Sequence, residues 1–324
     1  MGEFELIDRY FKRPVTRSPL GIGDDCALLA PAPGMQLAVS TDMLVEGRHF
    51  LSTVDPFALG HKALAVNLSD LAACGAKPLA FSLALSLPRV DESWLDAFSR
   101  GLFALADAHG CELVGGDTTQ GPLNICITVF GEVPTGQALL RSGARDGDDI
   151  HVSGSLGDAR LALEVFRGRL SVPGEVFEAA RQRLEQPQPR VALGLALRGI
   201  ASSAIDVSDG LLGDLGHILQ QSGVGARIDS QTALGLLAAG EAGAMASGLL
   251  AQETRLELVL AGGDDYELLF TAPASIRANV QAAASACATP VTRIGRIERE
   301  TGVRLVRADG TLMQGRYPSF DHFK

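Results

Sequence analysis

The stretch "SAIDVSDGLLGDLGHILQQSG", residues 203–223, carries the pattern that sets the fold class. It opens with a short apolar strand pattern and passes through the turn sequence DVSDG. Apolar residues then recur at helical spacing until Gly223, which is typical of a helix C-terminal cap. The apolar face of this helix comprises Leu211, Leu212, Leu215, Ile218 and Leu219. The stretch therefore predicts a strand, an aspartate-rich turn and a helix.

The same alternation of strands and helices extends in both directions along the chain. Upstream, strand patterns occupy 35–41, 79–87 and 124–133, and helix patterns occupy 56–73 and 91–109. Asp91 is a predicted N-cap, and Gly110 is the predicted stop of the second helix. Downstream, "DIHVSGSLGDARLALEVF" predicts a strand and a helix, and "GEVFEAARQRL" predicts another helix. Four further strands are predicted from "LELVLAGG", "YELLFTA", "VTRIGRIE" and "GVRLVRA". This mixture indicates an α/β fold of the α+β type.

A turn-rich connection, "VPTGQALLRSGARDGDD" at 133–149, predicts a domain boundary. The chain has 324 residues, enough for two hydrophobic cores. We therefore expect one domain at 1–136 and another at 137–324. "NLSDLAACGA" at 67–76 weakly resembles "DVSDGLLGDLG" at 206–216, so both halves could offer acidic loops to one site, or the likeness could be chance.

Composition narrows the class of function. The formal net charge is −10, which gives no general attraction for nucleic acid or for anionic membranes. The longest apolar runs are far shorter than the ~20 residues of a membrane span, and the charged start of the chain does not resemble a signal peptide. The five cysteines form no CxxC pair, which is typical of reduced thiols. We expect a cytoplasmic protein that binds neither nucleic acid nor membranes.

Aspartate recurs beside Gly, Ser or Thr in six short segments. Taken singly, each is typical of a turn or a helix cap. Several follow strand patterns, however, as in "LAVSTD", "CELVGGD", "SAIDVSD" and "LVLAGGDD", which predicts carboxylates at the ends of strands. Oxygen ligands without a His/Cys cluster suit Mg²⁺, which proteins commonly share with substrate phosphates. The six segments are GIGDD (Asp24, Asp25), STD (Asp42), NLSD (Asp70), GGD (Asp117), DVSDG (Asp206, Asp209) and GGDDYE (Asp264, Asp265).

The usual phosphate-binding signatures are absent from the sequence. No GK dipeptide occurs, which excludes a P-loop, and the HRD and DFG motifs of protein kinases are missing. "GIGDDC" lacks the third glycine of a dinucleotide fingerprint and precedes an apolar strand-like run instead of a helix. Weaker candidates for anion contacts are the turn "SGSLGDA", Arg48 and His49 after the STD segment, and Arg141 and Arg145 in the connection.

Taken together and in order, these motifs resemble the thiamine-monophosphate kinase family. The resemblance rests on "GIGDDCALL", "STDMLVEGRHF", "NLSDLAACGAKP", "GGDTTQGP", "SAIDVSDGLLGDLGHI", "GGDDYELLFT" and the terminal "FDHF", so it covers nearly the whole chain. It implies the two-domain PurM-like fold of the aminoimidazole-ribonucleotide-synthetase superfamily. It also implies a homodimer joined through the sheets of the N-terminal domains.

The resemblance also implies the last step of thiamine diphosphate synthesis, in which ATP phosphorylates thiamine monophosphate with the help of several Mg²⁺ ions. It implies an N-terminal domain that binds ATP and metal and forms the dimer, and a C-terminal domain that completes the nucleotide and substrate site. Another ATP-using synthetase of the same superfamily is the alternative, and a cation-binding module without catalysis is a third hypothesis.

Site residues are implied by the same match. Asp42 and Asp209 are expected to serve catalysis, Asp24 is left as a supporting or turn residue, and Asp265 receives no role. The implied metal ligands are Asp25, Ser40, Thr41, Asp42, Asp70, Asp117, Asp206 and Asp209. The implied ATP contacts are Gly116, Asp117, Arg141 and Ser208. The implied contacts to the thiamine substrate are His49, Asp264 and Phe320.

Overall fold

The structure is a computed structural model that describes residues 2–238 and 250–313, together with Gly315 and Tyr317. The chain divides into two compact units. The first contains Met1–Leu71 and Ala76–Ala138, and the second contains Ala72–Gly75 and Leu139–Lys324. The mixed α/β class is confirmed, and the functional roles assigned to the two domains remain predictions.

The first unit is built on a four-stranded mixed sheet. The elements of this unit are α1 (Glu3–Tyr10), β1 (Met35–Val45), α2 (Pro56–Ala73), β2 (Lys77–Leu87), α3 (Glu92–His109), β3 (Glu112–Gln120) and β4 (Asn124–Pro134). The strand order is β1-β4-β2-β3, in which β3 runs parallel to β2 and the other neighbours are antiparallel.

Local signals for helix α3 are confirmed. The Asp91 side chain accepts hydrogen bonds from the backbone N–H groups of Ser93 and Trp94, as an N-cap does. Gly110 ends the helix with φ 57°, a left-handed conformation that glycine adopts without steric cost. Helices α2 and α3 approach closely, because a Cβ on Gly101 would lie 1.9 Å from the carbonyl oxygen of Phe57.

Strand β4 shows which face of this sheet is covered. Ile125, Ile127 and Val129 are buried, whereas the alternating residues Cys126 and Thr128 are half-buried. The period of two is that of a sheet with one face in the core.

The other face of the sheet is covered only in part. Val15 and Leu29 of the N-terminal segment pack on Leu79 and Val114 there. Strand β1 is left open on this face, so its alternating side chains are exposed by 42% at Leu37, 55% at Val39 and 53% at Met43. The first unit thus presents a strip of apolar side chains, Leu37, Val39 and Met43, which we call the β1 strip.

The second unit is built on a six-stranded mixed sheet. Its strands are β5 (Asp148–Ser153), β6 (Ser203–Asp206), β7 (Gly225–Asp229), β8 (Leu268–Pro273), β9 (Val291–Glu298) and β10 (Gly302–Val306). Their order in the sheet is β10-β7-β9-β5-β8-β6. Its helices are α4 (Asp158–Phe166), α5 (Gly174–Glu185), α6 (Val191–Ala196), α7 (Leu211–Ser222), α8 (Ser230–Leu234), α9 (Gln252–Ala261) and α10 (Arg277–Ala286). Within the described residues, no helix combines the length and the apolar character needed to cross a membrane.

The strand, turn and helix predicted over 203–223 are confirmed as β6 and α7. Leu211, Leu215 and Ile218 of α7 are fully buried in the core of the second unit. Gly223 ends the helix with φ 67°. The apolar spacing that predicts the helix is therefore the face that it buries.

Three expectations about local structure were wrong. "LELVLA" of the predicted strand "LELVLAGG" lies in helix α9 and not in a strand. Leu256, Leu258 and Leu260 alternate as in a strand, but Leu256, Val259 and Leu260 also satisfy the helical spacing, and the buried helix is what forms. The run after "GIGDD" forms no strand and makes only isolated bridges such as Leu20–Leu28.

The third correction concerns the positions of the aspartates. Asp206 does end a strand, but Asp42 and Asp117 lie inside β1 and β3. Both strands continue beyond the apolar run, because pairing with a neighbouring strand extends through the polar residues. Asp264 follows helix α9 and precedes β8, so it does not end a strand either.

Candidate active site

In the first unit, the polar residues of β1 meet those of helix α2. The hydroxyl of Ser40 donates a 2.5 Å hydrogen bond to the carboxylate of Asp70. The backbone N–H of Asp42 donates to the side-chain oxygen of Asn67 at 3.1 Å. Asn67 is buried, and its amide nitrogen donates to the carbonyl of Ala63 one turn earlier, which fixes the amide's orientation. Helix α2 therefore holds this part of β1 by two polar contacts.

Strand alternation separates the three residues of the STD segment. Successive side chains of a strand point to opposite faces, so Ser40 and Asp42 share one face and Thr41 lies on the other. The Thr41 hydroxyl lies 2.8 Å from that of Thr128 on strand β4. The side chains of Ser40 and Asp42 are thus brought toward Asp70, and the side chain of Thr41 is not.

The loop after β1 fixes the tautomer of His49. The backbone N–H of Val45 donates to Nδ1 of His49 at 2.9 Å, so Nδ1 is unprotonated and Nε2 carries the ring proton. The ammonium group of Lys62, a buried residue of α2, donates to the carbonyl oxygen of His49 at 3.3 Å. His49 is therefore held as a hydrogen-bond donor through Nε2.

A cavity of about 1000 Å³ in the first unit brings several predicted residues together. Asp25 and Asp117 both line it, with Asp24 and Gly116 beside them. Asp25 and Asp117 are exposed. The remaining wall includes apolar side chains of helix α1 and of the residue that follows it, among them Phe4, Ile7 and Phe11. The cavity thus pairs an acidic end with an apolar wall.

In the second unit, the predicted ligands lie on the turn between β6 and α7. Asp206 is buried at the end of β6. The backbone N–H groups of Ser208, Asp209 and Gly210 all donate to Oδ2 of Asp214, each at 3.1 Å. Burial and the nearby charge of Asp209 raise the pKa of Asp214 to about 7, against the opposing effect of the three N–H donors.

A second segment pairs with this turn. The N–H of Asp264 donates to the carbonyl oxygen of Ser208, and that of Tyr266 donates to the carbonyl oxygen of Val207, both at 2.9 Å. Asp264 has φ 66° and Tyr266 has φ 52°, left-handed conformations that residues other than glycine adopt at a cost of about 1 kcal/mol or more. The 263–267 segment is thus held in a strained form.

The next acidic residues of this segment are buried. Glu267 accepts hydrogen bonds from Ser153, Arg183 and Arg190, at distances between 2.5 and 2.6 Å. Asp265 accepts one from the N–H of Gly157 at 2.9 Å, and its other oxygen has no hydrogen-bond partner among the described residues. Burial raises the pKa of Asp265 well above its usual range. Both residues therefore face the protein interior.

One predicted site residue of the second unit, Arg141, is not brought to this turn. The carbonyl oxygen of Arg141 lies against Ser222, at the C-terminal end of helix α7, whereas Ser208 precedes its N-terminal end. A helix of 12 residues is about 18 Å long, so the backbone of Arg141 is distant from Ser208. Phe320 lies outside the described residues.

The donor chemistry of these residues fits Mg²⁺. The candidate ligands are carboxylate and hydroxyl oxygens, which Mg²⁺ prefers, and Ser40 and Asp70 are already in contact. Among the described residues, no three side chains of His, Cys, Asp or Glu converge as a metal-binding group.

Sequence reasoning missed the residues that hold the site residues in place. Asn67 lies within the quoted "NLSD" motif, three positions before Asp70, so it shares a helix face with it. Asp214 lies in the first turn of α7, a position where acidic residues commonly cap a helix. Lys62 and Glu267 gave no usable signal, because their partners are distant in sequence.

Comparison with known proteins identifies similar chains. The model of the N-terminal domain of AIR synthase related proteins matches residues 23–133, and that of the C-terminal domain matches 136–307. Thiamine-monophosphate kinase of Salmonella typhimurium is 48% identical, over 99% of this chain and 98% of that relative.

Solved structures agree with this result. The crystal structure of thiamine-monophosphate kinase from Stenotrophomonas maltophilia K279a gives a TM-score of 0.83 at 45% identity and covers 96% of each chain. The structure of AaThiL complexed with AMPPCP and TMP gives a TM-score of 0.75 at 31% identity, over 91% of this chain and 89% of that one.

Proposed function

The chain belongs to the thiamine-monophosphate kinase family, and we propose that it transfers the γ-phosphoryl group of ATP to thiamine monophosphate, giving thiamine diphosphate and ADP. The observation that carries this proposal is the 48% identity with the Salmonella typhimurium enzyme across 99% of the chain. The AMPPCP and TMP bound by AaThiL support the choice of nucleotide and acceptor.

The proposed reaction needs positioning more than acid–base chemistry. The attacking atom is a phosphate oxygen of the substrate, which is already anionic at neutral pH and needs little help from a general base. The main barrier is the approach of two anions in line, so fixed positions and electrostatic stabilisation supply most of the acceleration. We infer a direct transfer with no phosphorylated protein intermediate.

We assign the proposed Mg²⁺ ions to the acidic residues of each unit. Ser40, Asp42 and Asp70 would hold metal in the first unit, together with Asp25 and Asp117 at the cavity. Asp206 and Asp209 would do so on the turn of the second unit, and Thr41 remains a proposed metal ligand of the first unit. When bound, Mg²⁺ neutralises charge on the phosphates. The chain's own part is to fix the backbone that carries these oxygens, as Asn67 does by accepting a hydrogen bond from the N–H of Asp42.

The proposed contacts to the nucleotide and to the thiamine substrate also come from both units. Gly116 and Asp117 line the cavity of the first unit, which is roomy enough for a nucleotide and has an apolar wall for a base. Ser208 and Arg141 remain proposed contacts of ATP in the second unit. His49 would donate from Nε2 to an acceptor atom of the thiamine substrate, because Val45 occupies Nδ1.

The proposed assembly is a homodimer formed by the β1 strip. Leu37, Val39 and Met43 lie on an open sheet face and are about half-exposed, a pattern typical of a surface that pairs with another chain.

All five cysteines are described and none forms a disulfide, which supports our proposal of a cytoplasmic location.

Product analysis tests the proposal. Pure protein is incubated with ATP, Mg²⁺ and thiamine monophosphate, and the products are separated by chromatography. We expect thiamine diphosphate and ADP in equal amounts, and we expect Asp42→Ala to stay folded and inactive. An absence of thiamine diphosphate, combined with turnover of an aminoimidazole or selenide substrate, would favour another synthetase of the superfamily.

A further inference from the structure

The turn at 206–210 is organised around the carboxylate of Asp214. Three consecutive N–H groups, from Ser208 to Gly210, converge on one oxygen of this side chain at 3.1 Å. Asp214 is 3% exposed, so water does not compete for these hydrogen bonds. Three donors at a single buried oxygen fix the backbone path of the whole turn.

This arrangement occupies a position that commonly binds ligands. The N-terminal end of a helix offers free N–H groups and a partial positive charge, and many proteins bind phosphate there. At the N-terminal end of α7, a 12-residue helix, the protein's own carboxylate takes that position. The N–H groups of Ser208, Asp209 and Gly210 are therefore committed to Asp214. Contacts from this turn to a ligand must come from its side chains and carbonyl oxygens.

The turn in its fixed form also supports the strained segment. Its carbonyl oxygens accept from the N–H groups of Asp264 and Tyr266, and the N–H of Val207 donates to the carbonyl oxygen of Glu267 at 2.8 Å. The fit is tight, because a Cβ on Gly263 would lie 2.3 Å from the carbonyl oxygen of Ser208. A shift of the turn would therefore be passed to the 263–267 segment.

We infer that Asp214 is a positioning residue that sets the geometry of both Asp209 and Asp264 by accepting the three N–H hydrogen bonds. The turn needs a hydrogen-bond acceptor at the position of Oδ2 of Asp214, since all three N–H groups donate to this oxygen. The inferred effect on ligand binding rests on the proposed function, whereas the inferred effect on the two segments does not.

Two variants of Asp214, similar in shape, distinguish the role of its hydrogen-bond acceptor from the role of its negative charge. Asp214→Asn keeps one carbonyl oxygen and removes the charge, and Asp214→Leu removes both. The first measurement is amide hydrogen exchange of the full-length chain by mass spectrometry, and the second is binding of magnesium and AMPPCP by calorimetry. Steady-state kinetics then gives KM for ATP and kcat. Asp229→Leu is the matched control, because Asp229 caps α8 through the N–H groups of Gln231 and Thr232.

The expected exchange pattern is local. In Asp214→Leu, exchange speeds up in peptides covering 206–212 and 263–268, and peptides covering β5 and β9 keep the wild-type rate. Affinity for magnesium and AMPPCP falls by about 10- to 100-fold, as a small displacement of binding groups commonly causes. Asp214→Asn keeps the exchange protection and stays within about threefold of wild type in KM. Asp229→Leu alters exchange only near α8.

Three results would overturn the inference. One is loss of protection at 206–212 in Asp214→Asn, which would make the charge essential. Another is wild-type exchange at 263–268 in Asp214→Leu, which would separate the two segments. The third is uniform acceleration of exchange in a folded Asp214→Leu protein, which would indicate a general structural role. If Asp214→Leu fails to fold, the Asn variant decides alone. If the kinase proposal is wrong, wild type will show no turnover of thiamine monophosphate, and the exchange results will still test the role of Asp214.

Discussion

The side chain of Asn67 accepts a hydrogen bond from the backbone N–H of Asp42 at 3.1 Å, linking helix α2 to strand β1 across 25 residues of sequence. The same amide donates to Ala63 within the helix, so its orientation is fixed. Because Asp42 is a proposed catalytic and metal-binding residue, this contact joins the packing of the first unit to the chemistry of the site.

Asn67→Leu is expected to lower both stability and turnover. The substitution leaves the N–H of Asp42 and the carbonyl of Ala63 without the hydrogen bonds that Asn67 makes, which costs about 1–3 kcal/mol. Thermal unfolding measures the first effect, and kcat for the kinase reaction measures the second. Asn279→Leu, at an exposed position of helix α10, is the control and should change neither. Unchanged kcat in a folded Asn67→Leu protein would refute the positioning role.

Gly116→Ala is expected to destabilise the first unit by about 2 kcal/mol or more. Gly116 has φ 150°, and a Cβ there would lie 1.9 Å from the carbonyl oxygen of Leu83 on the neighbouring strand. The adjacent Gly115 is the matched control, because a Cβ at that position meets nothing within 4 Å. Urea unfolding of the two alanine variants compares them. Equal midpoints would show that the close approach of β3 to β2 is not needed.

Glu267→Ala is expected to cost about 3–5 kcal/mol, because it leaves Arg183 and Arg190 as mostly buried charges without their carboxylate. The comparison is Asp96→Ala, which removes the partner of Arg100 in an exposed pair and should cost no more than about 0.5 kcal/mol. Denaturant unfolding gives both values. A loss below 1 kcal/mol for Glu267→Ala would mean that water or another anion replaces the carboxylate.

Elements whose signals are local in the sequence could be predicted, whereas contacts that depend on the folded backbone could not. Helices α2, α3 and α7 were predictable because the apolar spacing lies within each helix, and because Asp91, Gly110 and Gly223 flank the ends of α3 and α7. Helix α9 was mistaken for a strand, because alternating leucines fit both periods and tertiary packing decides between them. The motifs identified the residue types of the site. The partners that hold them, such as Asp214 and Asn67, depend on backbone geometry that single motifs do not encode.

His151 is expected to make stability fall in mild acid. Burial lowers the pKa of His151 from 6.5 to about 4, and neither ring nitrogen has a hydrogen-bond partner among the described residues. The unfolded chain therefore takes up a proton as pH falls through 6.5, whereas the folded protein resists until about pH 4. The contribution of His151 to the free energy of unfolding is complete above pH 6.5, and about 3 kcal/mol of it is lost as the pH falls to 4.

Asp149, Arg277 and Arg293 are the charged groups that act on His151. His151→Phe retains an aromatic ring against Phe270 and removes the titration. Free energies of unfolding at pH 7 and pH 5 should differ less in this variant than in wild type. His217→Gln, at an exposed site, should keep the wild-type difference. The same loss between pH 7 and pH 5 in His151→Phe as in wild type would assign the effect to other groups.

The central claim is that this chain moves a phosphoryl group directly from ATP to thiamine monophosphate. A single-turnover experiment with excess protein, [γ-³²P]ATP, Mg²⁺ and thiamine monophosphate tests it, with quenching at successive times and separation of small molecules from protein. We expect the label to pass from ATP to thiamine diphosphate without appearing on the protein. Label that accumulates on the protein before thiamine diphosphate forms, or ATP consumption that yields no labelled thiamine diphosphate, would contradict it.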